Sequence, residues 1–260
     1  MLRFILILAA AAVYFLISLV LMPILLISRK FYPDSDMLLH RLMQFTLSVI
    51  WHIAGCKVTT IGYENIPEDA PVLFVANHLG YFDILIGYSQ MKRRTAFAAK
   101  KELEWIPFLS WNMKFLRCPF IDRKNMRQGV KTIKEAGERI RDKDVSLFIF
   151  PEGTRNKSGD PLKLLPFHDG SFMPAKIAKC AIIPVAFTNT DAVFEQHVPI
   201  VKPQPVIVEY GKPVNWEDLD KDSKKHVGKY FENIIREMLD KNQKLLENKK
   251  NDTAAGAAAS

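Results

Sequence analysis

The longest apolar run of the chain lies at its start. From Phe4 to Ser28 the sequence FILILAAAAVYFLISLVLMPILLIS has no charged residue, and about 20 apolar residues suffice to cross the hydrocarbon core of a bilayer. A cleaved signal peptide has a shorter apolar region of about 7–15 residues. The pattern therefore favours a retained membrane segment, in which Pro23 permits a kink or a re-entrant course.

A second apolar stretch, Met37–Gly55, is interrupted by two histidines and an arginine. This mixed character predicts an amphipathic helix at the membrane interface rather than a second span. Arg29 and Lys30 follow the first segment and place its end on the cytoplasmic side. We expect residues 1–55 to be a membrane-associated helical segment that holds the remainder on the cytoplasmic face of the cell membrane.

After Gly55, short β-rich runs alternate with helical periods. The apolar runs predict strands at Lys57–Gly62, Val72–Ala76, Thr95–Ala99, Cys118–Ile121, Val145–Phe150, Ile182–Phe187 and Pro205–Tyr210. Apolar residues at helical spacing predict helices over Arg127–Lys143, Asp169–Lys179 and Asp222–Glu247. The alternation indicates an α/β domain over residues 56–248, with a mixed sheet flanked by helices. The last stretch, 249–260, is KKNDTAAGAAAS and predicts a disordered tail.

Charge and cysteine usage limit the partners. The formal net charge of +8 predicts an anionic partner such as a membrane surface, a phosphorylated metabolite or nucleic acid. No aromatic and basic cluster typical of nucleic-acid modules is present, so we expect no nucleic-acid binding. The three cysteines lack CxxC spacing, and no HExxH or grouped Cys/His pattern occurs. We therefore expect reduced core cysteines and no metal site.

The stretch VLFVANHLGYFDIL joins a predicted strand to a predicted helix through His78 and Asp83. Gly80 permits a sharp turn that brings the Asp83 carboxylate to one imidazole nitrogen and leaves the other as an acceptor. No GxSxG motif supplies a nucleophile, so such a base could deprotonate a substrate hydroxyl. Backbone amides near this turn are candidate donors to an oxyanion. The alternative is structural, with Asp83 capping a helix and His78 merely packed.

Two arginines follow predicted strands, where α/β sheets commonly bind ligands. Arg123 ends PFIDR, and Arg155 ends LFIFPEGTR. Gly153 allows close backbone approach, and a guanidinium group fits a phosphate bidentately. Taken alone, each motif is equally consistent with an ordinary surface arginine.

Together, NHLGYFD, FIDR, FPEGTR and IIPVAF resemble, in order and spacing, the four blocks of the glycerolipid acyltransferase family. Within it the chain is similar to the bacterial 1-acyl-sn-glycerol-3-phosphate acyltransferases. The resemblance covers residues 57–215, and a membrane-associated amino terminus is usual in that group. It implies that His78 is the general base for the 2-hydroxyl of lysophosphatidate and that Asp83 holds the imidazole. It also implies that Arg123 and Arg155 bind the acceptor phosphate.

The resemblance also assigns roles to four further positions. Glu152 and Gly153 would shape the glycerol site, and Lys101 would be a third phosphate contact. The neighbouring Lys100 stays open as the alternative to Lys101. Pro184, in the fourth block, would form part of the acyl-site wall.

The activity implied is transfer of a fatty acyl group from an acyl thioester to lysophosphatidate, which gives phosphatidate without a cofactor. The motifs do not distinguish acyl-carrier protein from coenzyme A as the donor's carrier. Alternative acceptors are another lysophospholipid or an acylated amino-acid lipid. Two other readings keep the same residues: a hydrolase that uses the pair on water, and a non-catalytic membrane lipid-binding protein.

Overall fold

The computed structural model describes residues 1–32 and 34–258. The helices are α1 Leu2–Ser28, α2 Met37–Ala54, α3 Tyr81–Ser89, α4 Leu109–Phe115, α5 Met126–Arg141, α6 Met173–Ala178, α7 Lys221–Lys225 and α8 Val227–Ala258. The strands are β1 Lys57–Ile61, β2 Leu73–Ala76, β3 Thr95–Phe97, β4 Ala99–Lys100, β5 Phe120–Ile121, β6 Ser146–Ile149, β7 Ala181–Thr188, β8 Pro205–Tyr210 and β9 Val214–Asn215. A 3₁₀ turn, Lys101–Trp105, precedes α4.

The main sheet has the strand order β1-β8-β7-β2-β6-β3, and β9 pairs with β7. Strand β7 is antiparallel to β8 and β9, whereas β7, β2, β6 and β3 run parallel to one another. The prediction of a mixed sheet flanked by helices is confirmed. Because the carboxyl ends of parallel strands meet at one edge, the segments that follow these four strands converge there.

Aromatic side chains fill the centre of the sheet. The Phe148 ring lies 5.5 Å from that of Phe74, 4.4 Å from that of Phe97 and 6.1 Å from that of Phe187, measured between centroids. All four are buried, and burial of each such ring contributes about 1.5–3 kcal/mol. The strands that carry the site are therefore fixed by one continuous core.

Several predicted elements are divided. The predicted strand Thr95–Ala99 becomes two strands because the chain changes partner: the Ala98 amide donates to Phe148 at 2.9 Å, and the Ala99 amide donates to Pro119 at 2.9 Å. Strand β4 then pairs with β5 in a separate two-stranded sheet. The helix predicted from Asp169 begins instead as a 3₁₀ turn before α6. The last predicted helix is divided between α7 and α8.

Pro184 lies inside β7 although proline cannot donate to a sheet ladder. On one side β7 changes partner around it, since Ile182 pairs with Val214 of β9 and Val185 pairs with Tyr210 of β8. In the gap between these strands, Gly211 donates to the Pro184 carbonyl at 2.8 Å. The interrupted ladder is what accommodates the proline.

Helix α1 contacts the rest of the protein at its start and at its middle. Arg3 donates to the Ala54 carbonyl at 3.4 Å, and Tyr14 donates to Asn112 Oδ1 at 2.9 Å. Asn112 in turn donates to the Ser18 hydroxyl at 3.2 Å. Only 11% of the most apolar part of α1 is buried, so its remaining surface is apolar and exposed.

Helix α2 docks on α3 through its polar residues. The buried His40 hydrogen-bonds the Tyr88 hydroxyl at 2.7 Å, and burial lowers the pKa of His40 to about 4, which keeps the ring neutral. Trp51 donates to the Ser89 hydroxyl at 3.2 Å. The predicted division at residues 55 and 248 stays a prediction, as does the tail, of which residues 259 and 260 lie outside the described residues.

Candidate active site

The turn between β2 and α3 brings His78 and Asp83 together. His78 Nδ1 lies 2.8 Å from Asp83 Oδ2. The same oxygen accepts the amides of Leu79 at 2.6 Å and Gly80 at 2.8 Å. A carboxylate at a helix N-terminus is stabilised by such amides. Asp83 therefore caps α3 and orients the imidazole at once, so the two readings of this aspartate coexist.

Thr190 is a member of this site that sequence reasoning missed. Its hydroxyl donates to Asp83 Oδ1, the oxygen that the turn leaves free. Both residues are fully buried. Thr190 follows β7, which lies beside β2 in the sheet, so only knowledge of the strand order could have placed it here. The hydroxyl completes the partners of a buried carboxylate.

The His78 ring stacks on Phe150, with centroids 4.1 Å apart, and its side chain is 16% exposed. Because Asp83 accepts at Nδ1, that nitrogen carries the proton and Nε2 is left as the basic nitrogen. His78 is one of the residues that line the main cleft. The ring is thus held on two sides and remains accessible.

The backbone amides of the turn are already engaged. The His78 amide donates to Glu152 at 2.8 Å, and the Tyr81 amide donates to Glu195 at 2.6 Å; the two amides between them bind Asp83. These four amides are therefore not free to bind an oxyanion, and a donor elsewhere near the turn stays a prediction. Three carboxylates therefore accept hydrogen bonds from four successive backbone amides.

Glu152 lies beneath the turn rather than in the cleft. It is 4% exposed, and its second oxygen accepts the Leu165 amide at 3.1 Å. Burial raises the pKa of Glu152 to about 7, although the hydrogen bonds that it accepts from the His78 and Leu165 amides oppose this shift. Its position supports the backbone of His78; the glycerol-binding role stays a prediction.

A cleft of about 570 Å³ lies above the carboxyl ends of the strands. Four of the predicted residues line it: His78, Arg123, Gly153 and Arg155. Apolar side chains form much of the remaining wall, among them Ile84, Phe97, Leu103, Met113, Ile121, Val130, Ile133 and Met173. A basic nitrogen, two guanidinium groups and an apolar wall thus share one cavity.

The two arginines are held loosely. Arg155 packs over the Tyr81 ring at 4.5 Å, and its Nη1 lies 3.7 Å from Glu195. Within the described residues Arg123 makes no hydrogen bond or ion pair, and burial lowers its pKa. Gly153, at φ 72°, adopts a conformation that favours glycine. Its turn leads from β6 to Arg155.

Of the two neighbouring lysines, Lys100 lines the cleft, whereas Lys101 lines a separate cavity with Glu104 and Arg139. Lys100 ends β4 and Lys101 begins the 3₁₀ turn, so the two side chains diverge. The role of Lys101 as a phosphate contact stays a prediction, although its side chain does not line the cleft of His78. The open alternative, Lys100, is the lysine in position to meet a ligand in the cleft.

The fold and this site agree with a family profile. A profile of the acyltransferase family matches residues 57–188, about half of the chain. This range contains the His78–Asp83 turn and both arginines. The chain belongs to the acyltransferase family, which confirms the resemblance drawn from the four sequence blocks.

Among similar proteins are 1-acyl-sn-glycerol-3-phosphate acyltransferases. That of Saccharomyces cerevisiae is 29% identical over 205 residues, which cover 77% of this chain and 66% of the relative. That of Haemophilus influenzae is 32% identical over 145 residues, 54% of this chain and 58% of the relative. This chain thus spans just under two thirds of the yeast protein's length.

A crystal structure of the 1-acyl-sn-glycerophosphate acyltransferase of Thermotoga maritima is similar to this chain, with a TM-score of 0.72 at 24% identity. The alignment covers 93% of this chain and 98% of the other. The likeness shows a shared fold that includes the helical amino terminus.

Proposed function

We propose that this protein is a membrane-bound acyltransferase that moves a fatty acyl group from an acyl thioester to the 2-hydroxyl of lysophosphatidate. The observation that carries the proposal is the cleft shared by the His78–Asp83 pair, Arg123 and Arg155. A base without an enzyme nucleophile suits direct transfer to a hydroxyl. The paired arginines suit an acceptor that bears a phosphate.

In the proposed reaction His78 Nε2 takes the proton of the 2-hydroxyl as its oxygen attacks the thioester carbonyl carbon. The carbon–sulfur bond then breaks, and the departing thiolate takes the proton from the imidazolium. Asp83, 2.8 Å from Nδ1, stabilises the imidazolium between the two steps. The products are phosphatidate and the free thiol of the carrier.

Arg123 and Arg155 are proposed to bind the phosphate, with Lys100 as a third cation. Each charge-assisted contact contributes roughly 1.5–3 kcal/mol. The apolar wall of the same cleft suits the acyl chain, since about 0.8 kcal/mol accompanies each buried methylene group. A neutral lysolipid head would leave the guanidinium groups without an anionic partner, so the cleft favours lysophosphatidate over such acceptors.

We further propose that α1 lies in the cytoplasmic leaflet of the cell membrane beside the domain. Its 27 residues extend about 40 Å, enough to cross a bilayer. A helix that crossed alone would carry Tyr14, near its middle, deep into hydrocarbon, yet Tyr14 binds Asn112 of α4. The contacts at the start and middle of α1 favour a helix that runs along the protein, with its exposed face in lipid.

The deciding assay offers purified enzyme a panel of acceptors: lysophosphatidate, lysophosphatidylcholine, lysophosphatidylglycerol and monoacylglycerol. Each acceptor is tested with acyl-carrier-protein and coenzyme A thioesters, and products are identified by mass spectrometry. We expect phosphatidate from lysophosphatidate, and none from His78→Ala enzyme. Free fatty acid without acylated lipid would indicate a hydrolase. Binding to liposomes without turnover by any donor would refute an acyltransferase.

A further inference from the structure

An exposed apolar patch lies on the catalytic domain, away from α1 and α2 in sequence. It consists of Trp105, Ile106, Phe108 and Trp111, whose exposed fractions are 84%, 46%, 46% and 50%. We call these four residues the aromatic cap. An exposed group of large apolar side chains within seven residues is unusual on a soluble surface and marks an interaction site.

The cap is built on a strained turn. Phe108 has φ 60° and ψ −51°, and the Leu109 amide donates to the Pro107 carbonyl at 2.6 Å. These are the features of the rare γ-turn with positive φ. The Phe108 ring packs edge-on against Trp111, with centroids 5.1 Å apart. A non-glycine residue held in this conformation indicates that the placement of its ring matters.

The segment that bears the cap has two other faces. Leu103 and Met113 line the main cleft, so the cap covers the outside of a cleft wall. Asn112, between Trp111 and Met113, binds Tyr14 and Ser18 of α1. The cap therefore adjoins the middle of α1, where the exposed apolar residues are Val13, Leu16, Ile17, Leu19 and Val20. Both groups of exposed apolar side chains are thus neighbours, along the chain, of residues that form this contact.

We propose that the aromatic cap is a second membrane-binding element, which enters the interfacial region of the bilayer beside α1. Tryptophan favours this region because its ring is apolar and its N–H can bond to headgroups or water. The contact between this segment and α1, the helix proposed to lie in lipid, favours lipid over a second copy of the chain as the occupant. The inference rests on the membrane association in the proposed function and is independent of its chemistry.

Fluorescence quenching by brominated lipid tests the proposal directly. Full-length protein is bound to phosphatidylcholine–phosphatidylglycerol vesicles whose acyl chains carry bromine close to the headgroups. The chain has 4 tryptophans; the buried Trp216 serves as the internal reference, and Trp51 of α2 is replaced by phenylalanine in both proteins compared. We expect quenching in the protein that retains Trp105 and Trp111 and loss of most of it in Trp105→Phe/Trp111→Phe protein. Equal quenching in both proteins, or none in either, would overturn the proposal.

Activity on two presentations of the acceptor gives a second test. With Trp105→Ser/Trp111→Ser enzyme, we expect the rate on vesicle-bound lysophosphatidate to fall roughly 10-fold, because two interfacial rings are lost. The rate on a short-chain, monomeric acceptor should stay unchanged. Tyr63→Ser, another exposed aromatic residue, is the matched control and should alter neither rate. Equal loss on both acceptors would refute the membrane role.

Sedimentation analysis without vesicles distinguishes self-association from lipid binding. Concentration-dependent dimerisation that Trp105→Ser/Trp111→Ser abolishes would assign the cap to a second copy and overturn the proposal; an unchanged mass supports it. Because quenching needs no turnover, an enzyme that transfers no acyl group but shows Trp105-dependent quenching would refute the proposed function alone.

Discussion

The catalytic turn and the cationic wall of the same cleft are held in opposite ways. Asp83 accepts four hydrogen bonds, and neighbouring carboxylates engage the amides on either side. Arg155 has one ion-pair contact, at 3.7 Å, and within the described part of the chain Arg123 has none. The turn is organised before any substrate arrives, whereas the guanidinium groups retain unused donors. The turn thus has the fixed geometry that proton transfer needs, and the neighbouring arginines have the free donors that phosphate binding needs.

This comparison predicts large effects from changes in the turn and smaller ones from changes in the wall. The largest is loss of the base. His78→Ala should lower kcat by about 10²–10⁴-fold with little change in thermal stability, since the backbone bond to Glu152 remains. Asp83→Ala should lose activity and also stability, because the Leu79 and Gly80 amides and the Thr190 hydroxyl lose their acceptor, at about 1–3 kcal/mol for each buried donor left unpaired. Steady-state kinetics and thermal unfolding in detergent measure both.

Glu152 gives a pH dependence to the stability of the turn. Its ordinary pKa of 4.5 rises to about 7 in the folded state, so the folded protein binds more protons between these values. The contribution of Glu152 to the free energy of unfolding should therefore fall as pH rises from about 4.5 to about 7, by at most about 3 kcal/mol, whereas the buried His40, whose pKa is lowered to about 4, contributes a slope of opposite sign. The difference between wild-type and Glu152→Gln protein in thermal unfolding curves isolates the Glu152 contribution, and the exposed Glu135→Gln should show no such pH-dependent difference. A slope that Glu152→Gln leaves unchanged would contradict the assignment.

Thr190 should act through Asp83. Thr190→Val keeps the shape and removes the hydroxyl, so one buried carboxylate oxygen loses its donor. A hydrogen bond to a charged group contributes about 1.5–3 kcal/mol, and we expect kcat to fall about 10-fold at constant KM. Thr190→Ser should restore most of the rate. A Ser variant as slow as Val would mean that the methyl packing, not the hydroxyl, is what matters.

Substitution of Arg155 tests whether the arginines of the cleft bind the acceptor phosphate. Arg155→Lys replaces a fork by a point charge, and the KM for lysophosphatidate should rise about 3- to 10-fold with kcat little changed. Arg123→Lys should behave in the same way, and Arg236→Lys on α8 is the control. If kcat fell and KM stayed constant, Arg155 would belong with the turn and the comparison would fail.

The smallest expected effects are those of substituting Lys100 and Lys101, which test which of the two lysines contacts the phosphate. Lys100 is exposed, where a single charge contributes about 0.2–1 kcal/mol; Lys100→Ala should raise KM about 2- to 5-fold. Lys101→Ala should leave it unchanged, since Lys101 lines the other cavity. The reverse result would restore the original assignment.

The sequence could predict what lies close along the chain. The strand–turn–helix over His78 and Asp83 is local, so its contact followed from spacing and the glycine. The arginines could be placed because each directly follows its own strand. These contacts need no knowledge of how the strands are ordered.

Contacts between distant segments could not be predicted. Thr190 and Glu195 reach the turn only because β7 lies beside β2. Local sequence patterns do not predict the order of strands in a sheet. The different placement of Lys100 and Lys101 depends on where β4 ends and the 3₁₀ turn begins, a boundary that the sequence pattern did not locate. The split of the strand predicted at Thr95–Ala99 likewise required knowing its partners.

The bond network of Tyr14, Asn112 and Ser18 has a practical consequence for handling this protein. Cutting the chain before α2 would remove the Tyr14 and Ser18 partners of Asn112, which would keep only its bond to the Phe108 carbonyl, and would expose the side chains that α1 covers. The helix that bears Asn112 carries part of the cleft wall. A truncated form therefore has an altered surface beside the cleft. Inhibitors selected on it would meet a surface that the full-length protein does not present.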